Sequence, residues 1–189
     1  MQFAIVDWEC TSLKSDQGFL LCGGFKPLGK PGYVIGLHDA GFMQDPLIVD
    51  KKLSILLRDE VEKYDGIITW NGIMFDIPFL NDRLMLCGED PVEKRFHIDI
   101  MYQARQGKSR LTSSRLDWVS KQLDPDKFLD RKTSLEMTMW KRASAEALAH
   151  FGNGRDNYDY IIDHCVADLN VTEQVYERLK NRVQTISKR

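Results

Sequence analysis

The order in which the apolar spacing changes along this chain limits its folds more than any other feature. From the N-terminus to His38 the spacing is that of strands: Gln2 to Trp8, Gly18 to Phe25, and Tyr33 to His38, with Lys26-Pro27-Leu28-Gly29-Lys30-Pro31-Gly32 as the turn between the last two. This predicts an antiparallel meander of three strands. The spacing then switches. Asp50 can cap a helix whose stripe is Leu53, Leu56, Leu57, Val61 and Tyr64. Gly66 to Trp70 reads as a short buried strand, and a helix follows through Phe79, Leu80 and Leu84. Arg95 to Ile100 alternates Phe96, Ile98 and Ile100 as a last strand. The remainder reads as helical: Ser114 before Leu116, Val119 and Leu123, a capping box at Thr133-Ser134-Leu135-Glu136, and a long helix from about Asn157 to Arg182. The expectation is an α/β fold, a mixed sheet flanked by helices.

Size and charge narrow the class. At 189 residues the chain suffices for one domain, residues 1–189, with one core. With 43% hydrophobic and 29% charged residues it reads as globular rather than disordered. Its apolar runs are too short to span a bilayer, and Met1-Gln2-Phe3-Ala4-Ile5-Val6 lacks the features of a signal peptide. A cytoplasmic protein with no membrane partner is expected. Cys10, Cys22, Cys87 and Cys165 form no CxxC pair and fit a reducing compartment. Asn170-Val171-Thr172 matches a glycosylation acceptor but falls inside the long helix. A net charge of −2 excludes binding nucleic acid by bulk charge. Basic residues gather locally, from Arg105 through Lys108, Arg110 and Arg115, and at Lys188-Arg189, where a solvated loop and a frayed tail are the favoured reading.

The carboxylates carry the chemistry. Strand alternation puts Phe3, Ile5, Asp7 and Glu9 on one face, with the two acids about 7 Å apart along the axis. Adjacent carboxylates at a strand end repel, and a divalent cation removes the conflict. Asp76 follows a buried strand, with Pro78 in the first turn of the next helix, so it can be a cap, a metal ligand, or both in part. On a wheel of about 100° per residue, Ile161, Cys165, Val175 and Leu179 define the apolar face of the long helix. His164 and Asp168 lie on that face or its near edge, and Asp163 and Glu173 do not. A carboxylate on a packing face needs a partner or a metal. Four such acids converging would suit hard cations, Mg²⁺ or Mn²⁺ rather than Zn²⁺. Two ions would activate a water and stabilise the leaving oxygen of a phosphodiester.

These residues resemble the DEDD (DnaQ-like, ribonuclease H-like) 3′→5′ exonuclease superfamily, and most of all the exonuclease domain of family B DNA polymerases. Asp7-Trp8-Glu9-Cys10-Thr11 is similar to the first motif, DxExT. Asn71-Gly72-Ile73-Met74-Phe75-Asp76-Ile77-Pro78-Phe79-Leu80 resembles the longer and more specific second motif. His97-Ile98-Asp99 and Ser114 to Val119 resemble the strand and helix that follow, and Asp163 to Asp168 resembles the third motif. The likeness covers about residues 2–180 and includes no polymerase domain, so a stand-alone exonuclease is expected. It implies that Asp7, Glu9, Asp76 and Asp168 hold two metal ions, and that Trp8, Thr11, Asn71 and Phe75 touch the terminal nucleotide, Phe75 as a stacking surface. Asp99 and Asp117 are read as structural.

One position departs from the pattern. In the tyrosine subclass Tyr stands four residues before the last Asp, and in the histidine subclass His stands five before it. Here His164 stands at four and Asp163 at five. An imidazole can take a proton from water near neutral pH, so His164 is the expected general base, with Tyr160 as the alternative. The expected reaction is release of nucleoside monophosphates from the 3′ end of single-stranded DNA, with RNA as the rival. Replication or repair proteins would be the partners. A catalytically degenerate nucleic-acid-binding module of such a complex, and a hydrolase of small phosphodiesters, are the competing readings.

Overall fold

Because side chains on a strand alternate, the first strand sorts its residues into two layers before anything else folds. In the computed structural model, which describes residues 1–105, 112–123, 137–148 and 156–182, that strand is β1 (Phe3–Cys10). Ala4, Val6 and Trp8 go to one core cluster and Ile5 to another. β2 (Leu20–Pro27) and β3 (Tyr33–Gly36) complete the meander, and β4 (Gly66–Thr69) and β5 (Phe96–Asp99) follow. The sheet order is β3-β2-β1-β4-β5. The β1–β2 and β2–β3 pairs are antiparallel, whereas β1–β4 and β4–β5 are parallel. This is the mixed sheet that the apolar spacing predicts, with β1 at its centre.

Helices cover both faces. They are α1 (Leu37–Ala40), α2 (Lys51–Val61), α3 (Asp76–Leu86), α4 (Ile100–Arg105), α5 (Leu116–Leu123), α6 (Met137–Leu148) and α7 (Asp156–Leu179), the last continuing into a 3₁₀ turn, Lys180–Arg182. Leu53, Leu57 and Val61 of α2 and Phe79, Leu80 and Leu84 of α3 pack with Val6 and Trp8. On the other face Ile5, Ile68 and Ile98 meet Leu116 of α5 and Leu169 and Val175 of α7. Two adjacent glycines in β2 let both layers come close. A Cβ on Gly23 would collide with Leu57 and Trp8, and one on Gly24 would lie 2.6 Å from Cys165 Sγ and 2.8 Å from Leu169 Cδ1. Among the described residues no helix is long and apolar enough to cross a membrane.

Several expectations change. The capping box at Thr133–Glu136 and the basic run from Gln106 to Arg110 lie outside the described residues. Leu56 is exposed, so the inner stripe of α2 is Leu53, Leu57 and Val61, continued by Tyr64. Asp50 precedes α2 but makes no side-chain cap. Its fully buried carboxylate accepts instead from Arg83 Nε (3.0 Å) and Nη2 (2.6 Å) and from the Leu20 N–H (2.8 Å). A buried charge requires a counter-charge, and Arg83 of α3 supplies it where the helix terminus could not. Glu173, read as lying off the packing face, is partly covered. It pairs with Lys26 Nζ at 3.2 Å and accepts from the Gly29 N–H at 3.0 Å, tying the β2–β3 turn to α7.

Candidate active site

β1 pairs with β4 only through Phe3, Ala4 and Ile5. Beyond Ile5 no strand pairs with it on that side, at the carboxyl ends of the parallel strands, where sheets of this kind place ligands. Asp7 and Glu9 occupy this end. They pair across β2 with Gly24 and Cys22, small residues on the face that meets α7. Carboxylate oxygens of Asp7 and Glu9 and the Sγ of Cys165 all lie within 4.8 Å of one another.

α7 brings the next two groups. His164 and Asp168 are one turn apart, with Nε2 and Oδ2 separated by 3.9 Å. Both are largely covered, their side chains 7% and 14% exposed. The His164 ring meets the edge of Trp140 at 6.2 Å and lies nearly parallel to Tyr160 at 6.5 Å. Trp140 in turn donates its indole N–H to the Cys10 carbonyl at 3.0 Å, which docks α6 on the end of β1. The imidazole thus has two aromatic neighbours, one from α6 and one from its own helix.

Asp76 arrives from the other side of β1. It is the first residue of α3 and is 3% exposed, and its Oδ1 accepts the Trp8 N–H at 3.1 Å. Burial raises its carboxyl to about 7; the N–H groups of Trp8 and of Asp76 itself act in the opposite direction, and the charge of Asp99 adds to the rise. A cation beside it would favour the ionised form.

The turn that delivers Asp76 is built by β5. Asp99, 1% exposed, accepts the Asn71 N–H (3.1 Å) and the Tyr102 N–H (3.1 Å) on Oδ1, and the Ile73 N–H (3.0 Å) on Oδ2. Asn71 itself has φ of 72°, the left-handed region that asparagine tolerates. Its carbonyl accepts from Met74 and Phe75, both at 3.0 Å. Thr69 Oγ1 accepts the Gly72 N–H at 3.1 Å and lies 2.7 Å from His97 Nε2. Burial lowers His97 to about 4, so its ring is neutral at ordinary pH.

The residues read as nucleotide contacts fare unequally. Trp8 is 3% exposed and sits on the opposite face from Asp7 and Glu9, its ring tilted against Phe25 at 5.4 Å. Alternation along β1 forces this, so the indole is core and offers no surface to a nucleotide. Thr11 spends its hydroxyl as acceptor for the Phe19 N–H at 3.0 Å, closing the loop after β1. Asn71 and Phe75 remain half-buried in the turn, with the Phe75 ring 5.7 Å from Phe79. The cavity of about 500 Å³ between residues 16–19 and 45–48 contains none of these groups.

The donor set fits hard cations. Cys165 stands among the oxygens, but its hydrogen bond with Cys22, burial, and the charges of Asp7 and Glu9 hold its thiol well above the usual range. It stays protonated and directs its S–H to the Asp7 carbonyl at 3.7 Å. Beside that thiol the grouped donors are the carboxylate oxygens of Asp7 and Glu9, a set that could hold a divalent ion. Sequence reasoning read Asp99 as structural without its main-chain partners, and it missed Cys165 beside the two acids, the place of His97 under the turn, and Trp140.

A family model of the RNase H superfamily matches residues 4–180. A search of curated proteins finds no match. Among solved structures the chain is similar to the family B DNA polymerase from the hyperthermophilic archaeon Pyrobaculum calidifontis, with a TM-score of 0.68 and 15% identity. That match covers 95% of this chain and 24% of the polymerase, so the chain spans about a quarter of its length. At such identity the likeness is one of fold.

Proposed function

The chain belongs to the RNase H superfamily, and from that premise we propose that it is a metal-dependent 3′→5′ exonuclease of the DEDD type. The observation that supports this is the grouping of Asp7 and Glu9, at the carboxyl end of the central strand, with Cys165 of α7, the helix on which His164 and Asp168 stand one turn apart. Asp7, Glu9, Asp76 and Asp168 would hold two divalent ions, Mg²⁺ or Mn²⁺. When bound, such ions supply an activated water and charge neutralisation at the leaving 3′ oxygen.

The chain's own residues do the rest. His164 accepts a proton from the attacking water at an imidazole nitrogen, and its two aromatic neighbours keep the ring oriented. Asp168, one turn away, stabilises the imidazolium that results. The turn from Asn71 to Phe75 receives the terminal nucleotide, with Phe75 against its base. Single-stranded DNA is the first substrate and RNA the second.

The test is incubation with 5′-labelled single-stranded DNA and RNA of equal sequence, in Mg²⁺, Mn²⁺ or EDTA, beside Asp7→Ala. The expected result is a ladder shortening from the 3′ end that EDTA and Asp7→Ala both abolish. Absence of cleavage with binding intact would overturn the reading in favour of a degenerate binding module.

A further inference from the structure

The loop from β1 to β2, the turn through Asp45 and Leu47, and the far half of α3 border a cavity of about 500 Å³. Its volume falls within the range of pockets that take ligands, about 300–1,000 Å³. None of the groups assigned to the exonuclease lines it. One guanidinium fastens its three sides together. Arg83 of α3, 3% exposed, donates from Nη1 to the Ser15 carbonyl (3.0 Å) and from Nη2 to the Leu47 carbonyl (2.8 Å). Ser15 Oγ adds a bond of 2.6 Å to Asp82 Oδ2 on the same helix. The walls are therefore set before a ligand arrives, and binding loses little to ordering them.

The charge available to a ligand has one sign. Arg83, the cation among the lining residues, is already neutralised by Asp50 at 2.6 Å. Asp16 and Asp45 line the same cavity and are both exposed. They repel phosphates, which excludes nucleic acid as the occupant, and they attract a cation. The other walls are apolar: Phe19, Leu47 and Leu86. Leu47 and Leu86 stand on different elements and are 75% and 47% exposed. A small molecule held inside would leave both largely in water, whereas a peptide laid across the cavity covers them.

We propose that this cavity docks a segment of a partner protein in which an aliphatic or aromatic side chain is flanked by Lys or Arg. The apolar side chain enters against Phe19, Leu47 and Leu86, and the basic residues meet Asp16 and Asp45. Docking there needs neither a metal ion nor the exonuclease centre, so it stands or falls apart from the activity.

The test pans the full chain against a displayed library of random dodecapeptides, with the Asp16→Lys, Leu86→Ser double variant as counter-target. Wild type should enrich sequences that set Leu, Ile, Phe or Trp within two residues of Lys or Arg. The most enriched peptide, made with a fluorescein label, is then titrated by fluorescence polarisation. Either single substitution should weaken its binding about fivefold, as loss of one exposed ion pair or of one half-covered leucine provides. Added NaCl should weaken binding to wild type and change it less for Asp16→Lys. Cleavage of 3′ ends should be unchanged in both variants. If Leu86→Ser lowers the melting midpoint, Asp16→Lys and the salt dependence decide alone. Enrichment shared with the counter-target, selection of acidic sequences, or an affinity indifferent to Asp16→Lys overturns the proposal. So does a dimer of the protein alone that Asp16→Lys dissociates, since a second copy would then fill the cavity.

Discussion

Replacing Asp99 by Asn tests whether the second half of the site is built from β5. The two side chains have nearly the same shape, but only the carboxylate offers acceptors on both atoms. Asp99 Oδ1 serves two backbone donors, Asn71 and Tyr102, and Oδ2 serves Ile73. Asparagine can keep its oxygen toward the first two, and its amide then faces the Ile73 N–H, donor against donor. A hydrogen bond to a charged acceptor contributes about 1.5–3 kcal/mol, and a buried donor left unsatisfied costs about 1–3 kcal/mol. Removing the charge also weakens the two bonds that survive. One effect opposes this: without Asp99 the carboxyl of Asp76 loses a repulsive neighbour. That relief is small, because burial is the largest cause of the Asp76 rise and Asp99 the least. The expected loss is about 3 kcal/mol, or roughly 6–12 °C in melting midpoint for a chain of this size. Urea unfolding followed by tryptophan fluorescence measures it. Activity assayed well below the midpoint should also fall about tenfold or more, because the turn carrying Asp76 is no longer pinned. A variant within about 0.5 kcal/mol of wild type, with normal turnover, would refute the role assigned to Asp99.

Three further outcomes are expected. His97 titrates near 4 in the folded protein and near 6.5 unfolded; above 6.5 neither state is charged, and between 6.5 and 4 only the unfolded chain takes the proton. Stability should therefore fall on acidification through that window, by up to about 3 kcal/mol, and the His97 contribution to that slope, read as the difference from His97→Gln in urea titrations, should vanish above pH 7. Gly24→Ala puts a methyl 2.6 Å from Cys165 Sγ and 2.8 Å from Leu169 Cδ1; calorimetry should show a loss of about 1–3 kcal/mol, with turnover reduced because α7 must shift. His164→Ala should lower kcat about 100-fold and flatten the pH–rate profile, whereas a wild-type rate across pH 6–9 would transfer the role to Tyr160.

The sequence made the sheet legible because a period of two is hard to mistake when both layers are apolar. Asp7 and Glu9 had to share a face with Ile5, and they do, meeting α7. His164 and Asp168 had to be one turn apart, and they are. The same rule put Trp8 on the other face. Naming it a nucleotide contact followed a motif likeness, and strand geometry outranks such a likeness wherever the two conflict. Asp50 shows a second kind of failure. Its position before α2 suggests a cap, yet a wholly buried carboxylate has more to gain from the Arg83 guanidinium than from one helix N–H.

What stayed hidden shares one property. Asp99, His97 and Trp140 act on the site through main-chain atoms or through a neighbouring hydroxyl: Asp99 on three N–H groups, Trp140 on the Cys10 carbonyl, His97 on the threonine that holds the Gly72 N–H. A main-chain partner leaves no mark on the residue identity at the position it supports, so the sequence could mark Asp99 as structural without showing which groups it holds. The acids proposed to hold metal are the reverse case, because that chemistry would demand particular residue types at particular faces. The carboxylates of such a centre can therefore be read from a single sequence, while the groups that aim them emerge only when the chain's hydrogen bonds are followed one by one.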